Sequence, residues 1–228
     1  MTTLHQIKRL VILISGSGSN LQAIIDAIPA YGIPAQICAV ISNRVDAFGL
    51  TRARQAGIPT DILDHKQFSS REAFDEALSE KIDAYQPDYV ILAGFMRILT
   101  EGFVTRYSGR MINIHPSLLP KFQGLHTHRR AIEAAEQEHG ATVHFVTPEL
   151  DGGPCILKAK VTISDSESET SLAEKVLQQE HIIYPTVINW LARDILSMST
   201  EGAALGGSVV APEGLYLNEI SDTLRLHP

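Results

Sequence analysis

The chain has 228 residues, 44% apolar and 20% charged, with a net charge of −7. Such a length can bury one well-formed core, and the acidic balance argues against a basic nucleic-acid-binding surface. Cys38 and Cys155 are too few and too far apart for a disulfide framework or a cysteine-rich zinc site, and both lie in apolar runs that read as buried free thiols.

The first apolar run, within MTTLHQIKRLVILISG, is too short to span a membrane and has no signal-peptide cleavage region, so a cytoplasmic protein is expected. Leu10–Ser15 reads as a buried strand, followed by Gly16, Gly18 and a helical pattern from Leu21 to Ile28. Ile37–Ile41 is a second strand, closed by Ser42-Asn43-Arg44. Phe48–Ala56 reads as a helix stopped by Gly57, and Thr60–Leu63 as a short strand. Apolar residues at helical spacing over Arg71–Tyr85 predict a helix that Pro87 ends, with a strand at Tyr89–Ala93.

Met111–His115 follows as a strand, then a helix over His128–Glu136 and strands over Thr142–Thr147 and Cys155–Ile163. The polar stretch SDSESETS, with Glu167 and Glu169, reads as a solvated loop leading into a helix cap. The stretch Ser171–Asp194 reads as a long helix that Pro185 should kink or break. After about Ser197 the chain is rich in Gly, Ala and Ser, as for an edge hairpin or a loose surface tail. Short buried strands alternating with helices predict an α/β fold, a Rossmann-like mostly parallel sheet of about seven strands with helices on both faces. The last two strands are close enough for a hairpin, so antiparallel strands are expected near the C-terminal end.

The segment MINIHPSLLP carries the most chemistry. Residues two apart on a strand share a face, so Asn113 and His115 project together and Ile112 and Ile114 project oppositely. Pro116 keeps His115 extended and stops the strand, leaving an amide and an imidazole at a strand's carboxyl end, where open α/β sheets bind ligands. The loop SGSGSN precedes a helix whose first N–H groups can hold an anion. It lacks the Gly-Lys-Ser/Thr ending of a Walker loop. Leu21 takes the third-glycine position of a dinucleotide fingerprint, and Asn43 stands where that fingerprint has its acid. A monophosphate site is favoured, against a plain turn capped by Ser19 or Asn20. Asp151, in ELDGG, is a turn former by type, but a turn folded over the end of the Asn113/His115 strand would set its carboxylate beside the imidazole.

His115, His126, His128 and His144 do not have metal-ligand spacing, and Ser117 lacks a nucleophile elbow, so neither a metal site nor a serine hydrolase is expected. The segments SGSGSNLQAI, SNRVDAFGLTRARQAGIP, AGFMRIL, NIHPSLLPKFQGLHTHRRAIE and HGATVHFVTPELDGGPCI together resemble the phosphoribosylglycinamide formyltransferase family, from the first strand to about Trp190. The resemblance implies transfer of a formyl group from 10-formyltetrahydrofolate, a co-substrate, to the amine of glycinamide ribonucleotide in purine synthesis. No metal, nucleic acid or membrane is implied, and the state is a monomer or homodimer. It gives Asn113, His115 and Asp151 the catalytic roles. Gly18, Ser19 and Asn20 would grip the ribonucleotide phosphate through backbone N–H groups, with Glu180 at the ribose and glycinamide end. Arg71, Met96, Arg97, Ile98, Leu99 and Asn113 would line the folate pocket, with the Thr142–Asp151 loop. Residues 1–228 would form a single domain: a phosphate-binding half (1–110), a catalytic and folate-binding half (111–195) and a surface tail (196–228). Two departures from the family pattern are Pro148, where an acid is usual, and Gln123, where a proline is common. The sharp turn beside the site makes a cis Leu119–Pro120 peptide an expectation as well.

Overall fold

The computed structural model describes residues 6–226. Strand β1 (Lys8–Ile14) is followed by α1 (Ser19–Ala30), β2 (Ala35–Ser42), α2 (Phe48–Gln55), β3 (Thr60–Ile62), α3 (Arg71–Ala84) and β4 (Tyr89–Leu92). Next come α4 (Glu101–Arg106), β5 (Met111–His115), α5 (Thr127–Glu133), β6 (Glu138–Phe145), β7 (Cys155–Thr162) and α6 (Glu169–Ala192). Four short strands follow: β8 (Leu196–Ser199), β9 (Gly202–Leu205), β10 (Ser208–Val209) and β11 (Leu215–Tyr216).

The main sheet runs β11-β7-β6-β5-β4-β1-β2-β3, and β8, β9 and β10 form a separate antiparallel sheet. The sheet is parallel from β5 to β3, while β6 pairs antiparallel with both β5 and β7. Both faces are covered, and β1 shows how its sequence serves the two. Leu10, Ile12 and Ile14 pack with Leu21 and Ile24 of α1 and Leu50 of α2. Val11 and Leu13 pack on the other side with Phe74, Leu78 and Ile82 of α3. A strand buried on both faces therefore needs its unbroken apolar run.

The main sheet has eight strands, where the pattern suggested about seven, because Leu215–Tyr216 returns from the tail to pair in parallel with Leu157–Lys158. Two residues are too short a segment for periodicity to register. The rest of the tail takes the hairpin form through β8 and β9. Helix α4 was not anticipated; at six residues, with its first turn capped by the Thr100 hydroxyl, it is shorter than a periodic signal. Helix α6 runs through Pro185 without ending. Ile183, Tyr184, Thr186, Val187 and Ile188 around it are all buried, and their packing outweighs the roughly 3 kcal/mol that an internal proline costs. The α6 start is capped by Ser168, whose hydroxyl accepts from the Ser171 N–H at 3.1 Å. Cys38 and Cys155 are both buried and free, and the Leu119–Pro120 peptide is cis.

Gly153 allows the turn after β6 to close on the sheet. A Cβ there would lie 1.9 Å from the Phe145 carbonyl oxygen, a backbone atom that cannot yield like a flexible side chain. Gly153→Ala is therefore expected to destabilise the fold by about 2–4 kcal/mol, read as a lowered denaturation midpoint. An unchanged midpoint would contradict this packing.

Candidate active site

Strand β5 sends Ile112 and Ile114 into the α1/α2/α6 layer and Met111 into the opposite one. Asn113 and His115 lie on the Met111 side, at the carboxyl end of the sheet. The hydroxyl of Tyr184, on α6, donates to the Leu92 carbonyl at 2.8 Å and reaches the Ile112 carbonyl at 3.3 Å, tying the ends of β4 and β5 together.

The Asp151 turn does fold over this strand end. His115 Nδ1 lies 3.4 Å from Asp151 Oδ2, with only 7% and 10% of the two side chains exposed. His115 Nε2 lies 2.9 Å from the Phe122 carbonyl oxygen. Both ring nitrogens thus face oxygen acceptors. Asp151 adopts a left-handed backbone with φ of 50°, and its Oδ2 accepts the Gly124 N–H at 2.9 Å. Gln123, one of the two departures, reaches the Asp151 carbonyl with its amide at 3.4 Å.

Asn113 has a partner that the sequence reading did not assign. Its Nδ2 is 3.2 Å from His144 Nε2, and His144 Nδ1 is 2.9 Å from the Phe145 carbonyl. The Phe145 contact puts the ring proton on Nδ1, which leaves Nε2 to accept from the amide. Burial pushes the His144 pKa down to about 4, keeping the ring neutral. One amide N–H of Asn113 is thereby fixed by His144, and the other has no partner among the described residues. The signal was present in the register, since Asn113 and His144 stand opposite each other on β5 and β6.

At the other end of the site, Gly18 takes a left-handed conformation (φ 69°) at the N-cap of α1, and no side chain caps the helix there. A turn capped by Ser19 or Asn20 is therefore not what forms, and the first helical N–H groups remain open for an anion. A Cβ at Gly18 would meet the Gly49 Cα at 2.5 Å, so the loop and α2 approach as closely as they do only with glycine here. A cavity of about 410 Å³ adjoins this end, lined by Gly16–Asn20, Asn43 and His65, and by Met96 and Arg97. Asn20 Nδ2 donates to Glu180 Oε2 at 2.6 Å, joining α1 to α6, while Asn20 Oδ1 is buried without a partner among the described residues. Burial pushes the Glu180 pKa up to about 7.

The proposed folate-facing residues divide. Met96 (70% exposed) and Ile98 (57%) present an apolar surface to solvent, as a site for a flat aromatic ligand needs. Leu99 packs on the α3/α4 layer, and the Arg97 guanidinium lies over the Phe74 ring at 5.5 Å. The Met96 N–H donates to Ser15 Oγ at 2.8 Å, so this segment is tied to the end of β1. Arg71 opens α3 as an exposed residue and does not line the cavity beside the glycine loop.

Of the remaining histidines, His128 and His139 pair with each other, Nδ1 to Nε2 at 3.2 Å. Ser117 is fully buried and donates its hydroxyl to the Lys121 carbonyl at 2.6 Å. A committed hydroxyl of that kind is no nucleophile.

The pattern of the formyl transferase family matches residues 8–188. The chain belongs to that family. Within it, the phosphoribosylglycinamide formyltransferase of Escherichia coli (strain K12) is 56% identical over 210 residues, covering 92% of this chain and 99% of the relative. The corresponding protein of Haemophilus influenzae is 46% identical over 212 residues, covering 93% and 100%. The structure of the Coxiella burnetii phosphoribosylglycinamide formyltransferase, in complex with CHES, superposes with a TM-score of 0.89 at 50% identity, covering 92% of this chain and 99% of that one. The formyl transferase match spans both the glycine loop and the Asn113/His115/Asp151 cluster.

Proposed function

We propose that the chain transfers the formyl group of 10-formyltetrahydrofolate to the amine of glycinamide ribonucleotide, by direct amine attack and without a covalent enzyme intermediate. The observation that carries this is the buried His115–Asp151 pair at the end of β5, beside an Asn113 amide with one N–H unspoken for. As the neutral amine attacks the formyl carbon, negative charge builds on the formyl oxygen. Asn113 donates its free N–H to that oxygen, and His115 donates from Nε2. For this the ring exchanges the Phe122 carbonyl for the substrate. Asp151 stays against Nδ1 and takes up the proton released by the amine, directly or through water. Each oxyanion donor contributes about 100–1000-fold in rate. The tetrahydrofolate nitrogen leaves as the new amide forms, taking up that proton from Asp151, directly or through water, so that the carboxylate is regenerated.

The open α1 terminus at Gly18–Asn20 would hold the 5′-phosphate, and Glu180 the ribose and glycinamide end. Arg71 and Met96–Leu99 would line the folate pocket, with the Thr142–Asp151 loop. Residues 1–228 would act as one catalytic domain divided near residues 110 and 195, in the cytoplasm, as a monomer or homodimer that needs no metal, nucleic acid or membrane. Among the described residues no helix is long and apolar enough to cross a membrane.

The test is the absorbance change on deformylation of 10-formyl-dideazafolate, with and without glycinamide ribonucleotide. Turnover is expected only with the ribonucleotide; equal turnover without it would identify a hydrolase instead.

Glu180 gives this reading a pH signature. Its folded pKa of about 7 stands above that of an ordinary carboxyl, so the buried, protonated form favours folding at acid pH, and that contribution fades as pH rises through about 7. The ribonucleotide needs the ionised acceptor. Its KM should therefore fall as pH is raised across that value, and Glu180→Gln should raise KM and flatten the dependence. A wild-type profile in the variant would remove Glu180 from the substrate site.

A further inference from the structure

We propose that Lys158, on β7, is a positioning residue for formyl transfer: its buried ammonium fixes the Leu119 peptide and, through it, the loop that supplies the partners of His115 and Asp151. The inference rests on the reading that those two residues carry the reaction.

Lys158 is 2% exposed. Its Nζ donates to the Leu119 carbonyl at 2.5 Å, the one side-chain hydrogen bond it makes among the described residues. The same peptide is gripped from its other side, where the Leu119 N–H donates to Thr142 Oγ1 at 3.1 Å. Thr142 in turn donates to the Ser117 carbonyl at 2.7 Å. Thr142 and Lys158 stand opposite each other in the β6/β7 register, so adjacent strands hold both ends of one residue. The returning tail closes over the clamp. Tyr216 pairs with Lys158 in the β11/β7 register and sets its ring 5.8 Å from the ammonium, and the Leu217 N–H donates to the Lys158 carbonyl at 2.8 Å.

An ammonium buried beside a single carbonyl is a poor choice for stability alone, because an apolar side chain of similar length would avoid its desolvation. What the ammonium does supply is a donor at a fixed point on the loop. Three residues beyond Leu119, the Phe122 carbonyl accepts from His115 Nε2, and five beyond it the Gly124 N–H donates to Asp151 Oδ2. Letting the Leu119 peptide drift displaces the Gly124 N–H that holds Asp151 during the reaction, and with it the Phe122 carbonyl that orients the His115 ring before the substrate takes its place. A displacement of about 1 Å at a reacting group costs up to about 100-fold in rate.

The experiment compares Lys158→Met, which keeps length and removes the donor, with Lys158→Gln, which restores a neutral N–H donor. Lys158→Met is expected to lower kcat about tenfold by loosening this geometry, with less than about a twofold change in ribonucleotide KM, because the glycine loop and Glu180 lie on other elements. Its melting temperature should not fall, and Lys158→Gln should recover most of kcat. Wild-type kcat in Lys158→Met, with or without a lowered melting temperature, would overturn the proposal. So would a Gln variant no more active than Met. His115→Ala separates the two levels of the argument: if it stays active, the reading of the site fails; if it is inactive while Lys158→Met is fully active, only the role of Lys158 fails.

Discussion

His115→Ala is expected to lower kcat by about 1000-fold, because it removes one oxyanion donor and the group that Asp151 orients. Asp151→Asn should come close to it, at about 100-fold or more. The amide oxygen introduced by that substitution can still accept the Gly124 N–H, as Asp151 Oδ2 does now, so the turn should keep its shape. What disappears is the charge facing Nδ1 and the acceptor for the amine proton. Steady-state kinetics at saturating folate and ribonucleotide, alongside thermal denaturation, separate loss of chemistry from loss of fold. Near wild-type kcat in either folded variant would refute that residue's role.

The second large effect concerns Asn113 and the histidine behind it. Asn113→Ala removes the other oxyanion donor and should cost about 100–1000-fold in kcat. His144→Ala leaves the amide in place but free to turn, and about tenfold is expected from lost orientation. If His144 acts only by holding Asn113, the double variant should be no slower than Asn113→Ala alone; additive losses would show that His144 acts independently. Acid should produce a related loss. The His144 pKa lies at about 4, below that of a free histidine, so the neutral ring stabilises the fold above about 6.5 and that contribution is lost as pH falls through the window between. Once protonated, Nε2 can no longer accept from Asn113. It faces Asp151 Oδ1 at 3.8 Å instead, and competes with His115 for the carboxylate.

Much of this site was legible because strand geometry is strict. Period-two alternation put Asn113 and His115 on one face, and Pro116 put them at a strand end, with no knowledge of the partner strands. The unbroken apolar run of β1 likewise read as a buried strand, and the alternation of such strands with helices as a sheet covered on both faces. The pairings that depend on where a distant segment arrives were not legible. Leu215–Tyr216 becomes a sheet strand only because it lands beside β7 and closes over Lys158. Pro185 is tolerated because its neighbours are buried, which local propensity does not contain. His144 read as one of several histidines until the β5/β6 register set it against Asn113. Glu180 came from the family resemblance alone; its contact with Asn20 joins residues 160 positions apart.

The central claim, direct transfer at the His115–Asn113–Asp151 cluster, is tested most directly in a single turnover with excess protein and folate carrying a radiolabelled formyl group. The label should pass wholly to the glycinamide nitrogen, at a rate that Asp151→Asn lowers in step with kcat, with none on the protein and none released as formate. Label trapped on the protein, or formate formed ahead of the ribonucleotide product, would contradict it.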